Sequence, residues 1–338
     1  GGGLTFGQLF SGGDVNLKGR TISGNTITGS SDIILEATAG GIFTNSLAAS
    51  GDLSLKGESI EVFGSLSGRD IALQTTSGNI QIYDAISASD DIVVRASGRF
   101  TAFSSINSGA SRQSAPGDSS GVADRLLGST AAGNDIDIQA DGVILGGAIN
   151  ATSSGSGGSP SDIKIDAGTG VANFFYGGSL FATGTISVIA SEILSYSDLS
   201  LTTNGAATTS DIILSAPIRT GGSVTINATG NVETGAISSG VYFPPTEAAR
   251  NVGAGSPASS GLTTDITISG LSVSVGALLA RDVSLTAISG LLDLTGSIDA
   301  GRDILLYGSN ASGIAVSSGV FIDAGRDVFI DAGTGPGL

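Results

Sequence analysis

Residues 70–82 read DIALQTTSGNIQI, and this stretch contains the pattern that decides the fold. Asp70 is followed by Ile71 and Leu73, two aliphatic residues two positions apart, and a similar couple returns at Ile80 and Ile82. Residues two apart point to the same side of a β-strand. The intervening TTSGN is rich in residues that favour turns. The segment therefore predicts two short strands, each with one buried side, joined by a corner.

The first half of this pattern is a four-residue motif that recurs along the chain: a small polar residue, then aliphatic, any and aliphatic residues. Of its fifteen copies, two begin at Thr185 and Ser223. The other thirteen begin with aspartate, and we call these residues the anchor aspartates: Asp14, Asp32, Asp52, Asp70, Asp91, Asp135, Asp162, Asp198, Asp211, Asp265, Asp282, Asp303 and Asp327. The second and fourth positions are Leu, Ile or Val in every copy. Each copy is predicted to be a strand with one buried face.

Most intervals between copies are about 20 residues, which is too short for a strand-helix-strand unit and suits one coil of two or three strands. We predict an all-β fold, a single parallel β-solenoid over residues 1–338, with coils of about 20 residues. Loops rich in Ser, Gly, Ala and Pro are predicted to be inserted at about 99–132, 147–160 and 240–262. Between Thr185 and Ser223 the copies crowd together, so there the motif can mark two sides of one coil.

The composition removes several classes of function. The chain has no His, Cys, Met or Trp, which excludes Ser-His-Asp hydrolysis, cysteine nucleophiles and metal sites built on imidazole or thiolate. Its net charge is -16 and its 14 basic residues are scattered, so nucleic acid is not an expected partner. No run of about 18 apolar residues is present, so the chain is not expected to span a membrane.

The anchor aspartates have two interpretations. The first is a corner residue whose carboxylate accepts backbone N–H groups. The second is a ladder that holds calcium, because carboxylates stacked about 5 Å apart repel one another. The calcium repeat Gly-Gly-x-Gly-x-Asp is absent, and four arginines that directly precede an anchor can offset its charge: Arg69, Arg281, Arg302 and Arg326. We predict no cofactor and keep calcium as the alternative.

Paired carboxylates raise a catalytic alternative, since some β-solenoids process polysaccharides with two acids. Asp135 and Asp137 are predicted to lie on one side of a strand, about 6.6 Å apart by strand rise, close to the separation of an inverting glycosidase. Asp141 is the third acid of this group. Any Asp-x-Asp on a solvated strand face has the same spacing, so we predict no enzymatic activity and keep a polysaccharide hydrolase or lyase as the alternative.

The third position of the motif is predicted to face outward. It is polar in most copies, but in five it is large and apolar and needs cover. An inserted loop is one source of cover, and lateral contact with another rod is the other; the candidate lateral contacts are Ile34, Val93, Ile213, Leu305 and Phe329. Neither end has an evident cap, so we expect the coils to continue beyond both ends or to stack head to tail on another copy.

Three motif copies with their preceding residues are similar to the repeats of filamentous-haemagglutinin-like adhesins of the two-partner-secretion type: residues 67–73 (SGRDIAL), 300–306 (AGRDILL) and 324–330 (AGRDVFI). The resemblance implies a right-handed parallel β-helix on the surface of, or outside, a Gram-negative bacterium, exported through an outer-membrane transporter. It implies a structural rod, either a shaft segment or a fibre-forming subunit, that mediates attachment, cell-cell contact or biofilm contact to a receptor unknown here. The repeats of that family are scaffold, so no functional residue is carried over.

Overall fold

The computed structural model describes residues 2–109, 134–152, 160–174, 178–205, 210–240, 262–309 and 312–333. Within those ranges the chain is a parallel β-solenoid of about 13 coils, about 21 residues apart, and contains no helix. The predicted all-β solenoid is therefore confirmed, with a coil length close to the predicted one. The described residues include no helix long and apolar enough to cross a bilayer.

The strands are short, mostly three to five residues, as expected for a chain that must turn a corner three times per coil. In chain order they are β1 (Leu4–Ser11), β2 (Val15–Gly19), β3 (Ile22–Gly29), β4 (Ile33–Ala37), β5 (Ile42–Thr44), β6 (Ser46–Ala49), β7 (Leu53–Gly57), β8 (Ile60–Val62), β9 (Leu66–Gly68), β10 (Ile71–Thr75), β11 (Ile80–Ile82), β12 (Ile86–Ala88), β13 (Ile92–Arg95), β14 (Phe100–Ala102), β15 (Ile106–Ser108), β16 (Ile136–Gln139), β17 (Val143–Leu145), β18 (Ile149–Ala151), β19 (Ile163–Asp166), β20 (Val171–Phe174), β21 (Gly178–Ala182), β22 (Ile186–Ile189), β23 (Glu192–Ser195), β24 (Leu199–Thr203), β25 (Ile212–Leu214), β26 (Ile218–Thr220), β27 (Val224–Asn227), β28 (Val232–Thr234), β29 (Ile237–Ser239), β30 (Ile266–Gly270), β31 (Val273–Val275), β32 (Leu278–Ala280), β33 (Val283–Ala287), β34 (Leu292–Leu294), β35 (Ile298–Ala300), β36 (Asp303–Tyr307), β37 (Ile314–Val316), β38 (Ile322–Ala324) and β39 (Asp327–Asp331).

Each coil contributes one strand to each of three faces. Face 1 is a sheet of 13 strands that starts at β2 and ends at β37. Faces 2 and 3 are connected into one sheet of 26 strands, because β1 and β3 run along both faces, whereas later coils break this path into two strands. Every strand pairing between coils is parallel, with side chains of the same kind in register, such as Ile71 with Leu53 and Ile92.

Fifteen motif copies fit into thirteen coils because the motif changes face along the chain. The eight copies from Asp14 to Thr185 precede face 1 strands. Asp198 precedes β24 on face 3, and Asp211 precedes β25 on face 1 of the same coil. From Ser223 onward the copies precede face 3. The crowding noted in the sequence therefore marks two corners of one coil.

The core is a single apolar column. The second and fourth motif positions are buried except for Leu17 and, in the last coil, Val328 and Ile330. Since the other two strands of each coil also point apolar residues inward, the column is closed on all three sides. Burial of one aliphatic side chain contributes about 1.5–3 kcal/mol, so a thin column repeated over 13 coils can support the fold with few aromatic residues.

The predicted loop ranges include coil residues. β14 and β15 lie within 99–132 and β18 lies within 147–160, so the coil path continues further than the composition indicated. Short strands with a single large apolar residue, such as FTA and INS, are difficult to separate from a Ser-rich loop by composition alone. Residues 110–132, 153–159 and 241–261 of the predicted loops lie outside the described residues.

The outward apolar positions fall into three groups. Val93 is fully buried, so it is not part of the open surface that a lateral contact needs. Ile213 and Leu305 are half-buried. Ile34 and Phe329 are exposed, at 36% and 51%. Lateral association through these exposed positions stays a prediction.

Candidate functional site

Eight anchor aspartates lie at the corner where face 3 passes into face 1, and we call this column the first ladder: Asp14, Asp32, Asp52, Asp70, Asp91, Asp135, Asp162 and Asp211. Its recurrent contact runs from one coil to the next. Asp91 Oδ1 accepts the backbone N–H of Asp135 at 2.7 Å, and Asp135 Oδ1 accepts that of Asp162 at 2.8 Å. Asp70 Oδ1 accepts that of Asp91 at 3.3 Å. The carboxylates thus satisfy N–H groups where the backbone turns.

The other five anchors lie at a different corner, between faces 2 and 3, and form the second ladder: Asp198, Asp265, Asp282, Asp303 and Asp327. Here arginines alternate with the aspartates. Arg281 donates Nε to Asp265 Oδ1 at 2.9 Å and its terminal nitrogen to Asp265 Oδ2 at 2.7 Å. Arg302 and Arg326 bind the aspartate of the preceding coil in the same two-pronged way.

The pKa values of the buried aspartates of the first ladder and that of Asp282 in the second ladder are shifted in opposite directions. Burial, reinforced by the charge of Asp52, raises the pKa of Asp70 to about 7, and burial raises the pKa of Asp135 to about 6. Burial also raises the pKa of Asp91, and the charges of Asp135, Asp90 and Asp70 add to it. In the second ladder, burial acts in the same direction on Asp282, but hydrogen bonds from Arg302 and from a backbone N–H hold its pKa below the ordinary value.

The candidate catalytic acids have structural partners. Asp135 holds a backbone N–H in the first ladder. Asp137 forms a bidentate ion pair with Arg95 of the preceding coil, with O···N distances of 3.0 and 2.8 Å. Asp141 lies apart from this pair, beyond the end of β16. Asp135 and Asp137 therefore each accept a hydrogen bond from a neighbouring coil, and these bonds stabilise the stack of coils.

Replacing Asp137 with asparagine should lower the free energy of unfolding by about 1.5–3 kcal/mol, because a charge-assisted bond is lost and the Arg95 guanidinium stays partly buried without its carboxylate. The two side chains are only 15% and 23% exposed. Equilibrium denaturation in urea measures the change. Glu36→Gln is the matched control, since Lys18 and Glu36 pair across neighbouring coils at 2.7 Å but in solvent. An equal loss of unfolding free energy in Asp137→Asn and Glu36→Gln would show that burial does not make the Arg95–Asp137 pair stronger than the exposed Lys18–Glu36 pair.

A shallow cleft of about 460 Å³ lies at the ends of several face 1 strands. Its polar lining includes Gln74, Arg95, Gln139, Asp141 and Asp166. Sequence reasoning missed this group, although a signal exists: Gln74, Arg95, Gln139 and Asp166 each stand four positions after an anchor aspartate. The amide and carboxylate groups can hydrogen-bond a polar ligand.

Three aromatic residues spaced 20 positions apart form a second feature that sequence reasoning missed. Phe63, Tyr83 and Phe103 stack at one corner, with ring centroids 5.3 and 5.1 Å apart. Each ring is about half exposed. Since the rings stack on one another, the Tyr83 faces are occupied and mainly ring edges point outward. This geometry stabilises neighbouring coils and does not offer a row of free faces for sugar stacking.

Among the side chains in the described ranges, no group of three or more acidic residues is arranged to hold a metal ion. In the described ladders the recurrent partners of the carboxylates are backbone N–H groups and guanidinium groups.

The fold and these corners define a class, the parallel β-solenoid. No protein-family model matches the sequence, and no curated protein or solved structure shows significant similarity to it.

Proposed function

We propose that this chain is a structural extracellular rod, a shaft segment or fibre-forming subunit of a filamentous-haemagglutinin-like bacterial surface adhesin. One observation carries the proposal: parallel strand pairing continues without a break through all 13 coils. It continues even where the sequence between paired strands is long. Ile92 pairs with Ile136, and Val224 pairs with Ile266, across intervals of 44 and 42 residues. The coil stack therefore continues in register across both long intervals.

The surface chemistry supports the same proposal. A net charge of -16 keeps parallel rods apart and soluble. Polar side chains occupy many outward strand positions, such as Thr225, Thr267 and Ser284. A rod of this kind supplies length and stiffness through hydrogen-bonded coils, while segments that leave the coils supply contacts. In this proposal, attachment or cell-cell contact is made by such segments or by further parts of the adhesin.

The end coils give the fibre-forming version its contact surface. Val328 and Ile330, at inward positions of the last coil, are 48% and 52% exposed. In the first coil Leu4, Phe6 and Leu9 are only partly buried. Among the described strands, β39 pairs on one side only, with β36. Such strand edges add further strands readily, from the same chain or from another copy.

Electron microscopy of negatively stained protein tests the proposal. A stack of 13 coils at about 4.8 Å per coil predicts unbranched particles about 60 Å long, or filaments built from them. Compact, round particles would contradict the rod.

Two variants then separate the modes of association. The double variant Val328→Asp with Ile330→Asp places charges on the end coil and should abolish filaments that grow end to end. Ile34→Asp places a charge at an exposed position on the side of the rod and should abolish lateral bundles while single filaments persist. Filaments that survive the first change would exclude the end-coil surface, and bundles that survive the second would exclude the lateral surface.

The alternative is a polysaccharide-processing enzyme, and the cleft beside Asp141 and Asp166 is the observation that favours it. A reducing-end assay over acidic glycans tests hydrolysis and lyase cleavage, and neutral glycans test hydrolysis. We expect no cleavage. Cleavage by the natural chain that is lost in Asp141→Asn, with unchanged circular dichroism, would replace the structural proposal with the enzymatic one.

A further inference from the structure

Three consecutive carboxyl groups of the first ladder lie in an environment that is unusual for charges. Asp70 and Asp91 are 0% and 2% exposed, and Asp135 is half-buried. They belong to successive coils, so they are stacked about 4.8 Å apart. We call Asp70, Asp91 and Asp135 the buried column.

Like charges at this separation repel, and the repulsion is several times stronger inside a protein than in water. A buried carboxylate also loses its hydration. Each member of the buried column has one oxygen satisfied by a backbone N–H of the next coil. The second oxygen of Asp70, Oδ2, is buried and has no hydrogen-bond partner. A negative charge on that oxygen would therefore destabilise the folded chain.

The charged groups nearest the buried column do little to offset it. Asp52, Asp90 and Asp162 add negative charge beside it. Arg69, adjacent in sequence to Asp70, acts to lower the pKa of that carboxyl, but burial and the charge of Asp52 outweigh it, and Arg69 also donates Nε to Asp52 Oδ1 at 2.9 Å.

Arg95, on the neighbouring strand β13, is occupied by Asp137. Asp137 also contributes negative charge at Asp135. The second ladder, with the same backbone role, has an arginine on Asp265, Asp282 and Asp303 in turn.

We propose that the buried column is a proton-binding element that holds its three coils together when protonated and loosens them as the protons leave. This inference does not rest on the proposed function. A protonated carboxyl keeps its carbonyl oxygen for the backbone N–H of the next coil and removes the like-charge repulsion. Deprotonation leaves stacked, desolvated charges.

The direction of the pH dependence follows from linkage. The folded chain binds these protons more tightly than the unfolded chain, whose aspartates release them near pH 4. The contribution to stability is therefore complete below that pH. It is lost as the pH rises through the folded values, which are about 7 for Asp70 and about 6 for Asp135.

Hydrogen exchange followed by mass spectrometry locates the effect. For peptides covering β10, β13 and β16, the protection factor, corrected for intrinsic exchange, should fall at least tenfold between pH 5.5 and pH 8.5 in the natural chain. In Asp70→Asn the amide oxygen still accepts the N–H of Asp91, but no charge forms at the carboxyl whose pKa of about 7 lies inside this pH window. That variant should lose much of the pH dependence and be better protected than the natural chain at pH 8.5.

Asp282→Asn is the matched control from the second ladder. It should reduce protection around β33 and β36 at both pH values, because Arg302 loses its carboxylate, and it should leave the pH dependence around the buried column unchanged. If Asp70→Asn does not fold, Asp135→Asn carries the same expectation, because the pKa of Asp135 also lies inside the window. Equal protection of the natural chain at both pH values would overturn the proposal, as would an unchanged pH dependence in the folded column variant.

Discussion

Replacing Phe100 with alanine will destabilise the chain by about 3–5 kcal/mol, one of the largest effects of any single truncation. Phe100 lies on β14 at 0% exposure and pairs with Ile80 on one side and Val143 on the other. Its ring lies in the apolar column, where each coil encloses a single layer of side chains. Because strands on both sides are held in parallel register, the coil cannot collapse into the cavity. Equilibrium unfolding in guanidinium chloride measures the loss.

Phe103→Ala is the control, three residues further along the same coil. Its ring is 43% exposed and stacks only on Tyr83 among the described rings. Removing it should cost about 0.5–1.5 kcal/mol, the value of one aromatic pair. Similar losses for Phe100→Ala and Phe103→Ala would contradict the single narrow core, because they would mean that the inward and outward positions contribute alike.

Adding one methyl group at Gly147 should cost about 1–3 kcal/mol. Gly147 lies at the corner between β17 and β18, directly against the preceding coil. A Cβ there would come within 2.5 Å of the Ser104 carbonyl carbon and 2.6 Å of the Ser105 nitrogen. Both atoms belong to the backbone, so relief requires the coils to separate. A melting curve of Gly147→Ala followed by circular dichroism measures the destabilisation.

Gly12→Ala tests whether the coil contact, and not the loss of glycine itself, causes this effect. Gly12 is also at a corner, but a Cβ there meets no atom within 4 Å. We expect its melting temperature to match that of the natural chain. A drop in Gly12→Ala as large as that in Gly147→Ala would show that chain flexibility, rather than the spacing of coils, limits both positions.

The fold could be predicted because its information is local and repeated. A couple such as Ile71 and Leu73 fixes which side of a strand is buried, and the interval to Ile92 and Val94 fixes the coil length. Each copy repeats the same constraint, so a few irregular copies do not change the predicted fold. The face on which a copy lies was not predictable, since Asp198 and Asp211 have the same local pattern and differ only in the corner that they occupy.

The properties of the two ladders could be predicted only in part. The arginine before an anchor was visible in the sequence, but its strongest contact is with the anchor of the preceding coil. Arg69 therefore pairs with Asp52, although it is adjacent to Asp70. The depth of Asp91 depends on how neighbouring coils enclose it, and a four-residue motif carries no information about that enclosure. The stack of Phe63, Tyr83 and Phe103 was missed because it lies outside the motif, even though its period is regular.

The unbroken pairing of β13 with β16 and of β27 with β30 has a consequence for exchanging sequence. Gly109 and Gly240 are the last described residues before segments 110–133 and 241–261, both have a left-handed backbone angle φ of 77°, and the strands on either side remain paired. A foreign peptide grafted at either junction would begin at a defined height and direction on the scaffold. The sequence inserted at these two positions could therefore be replaced, in evolution or by design, without changing the coils of the solenoid.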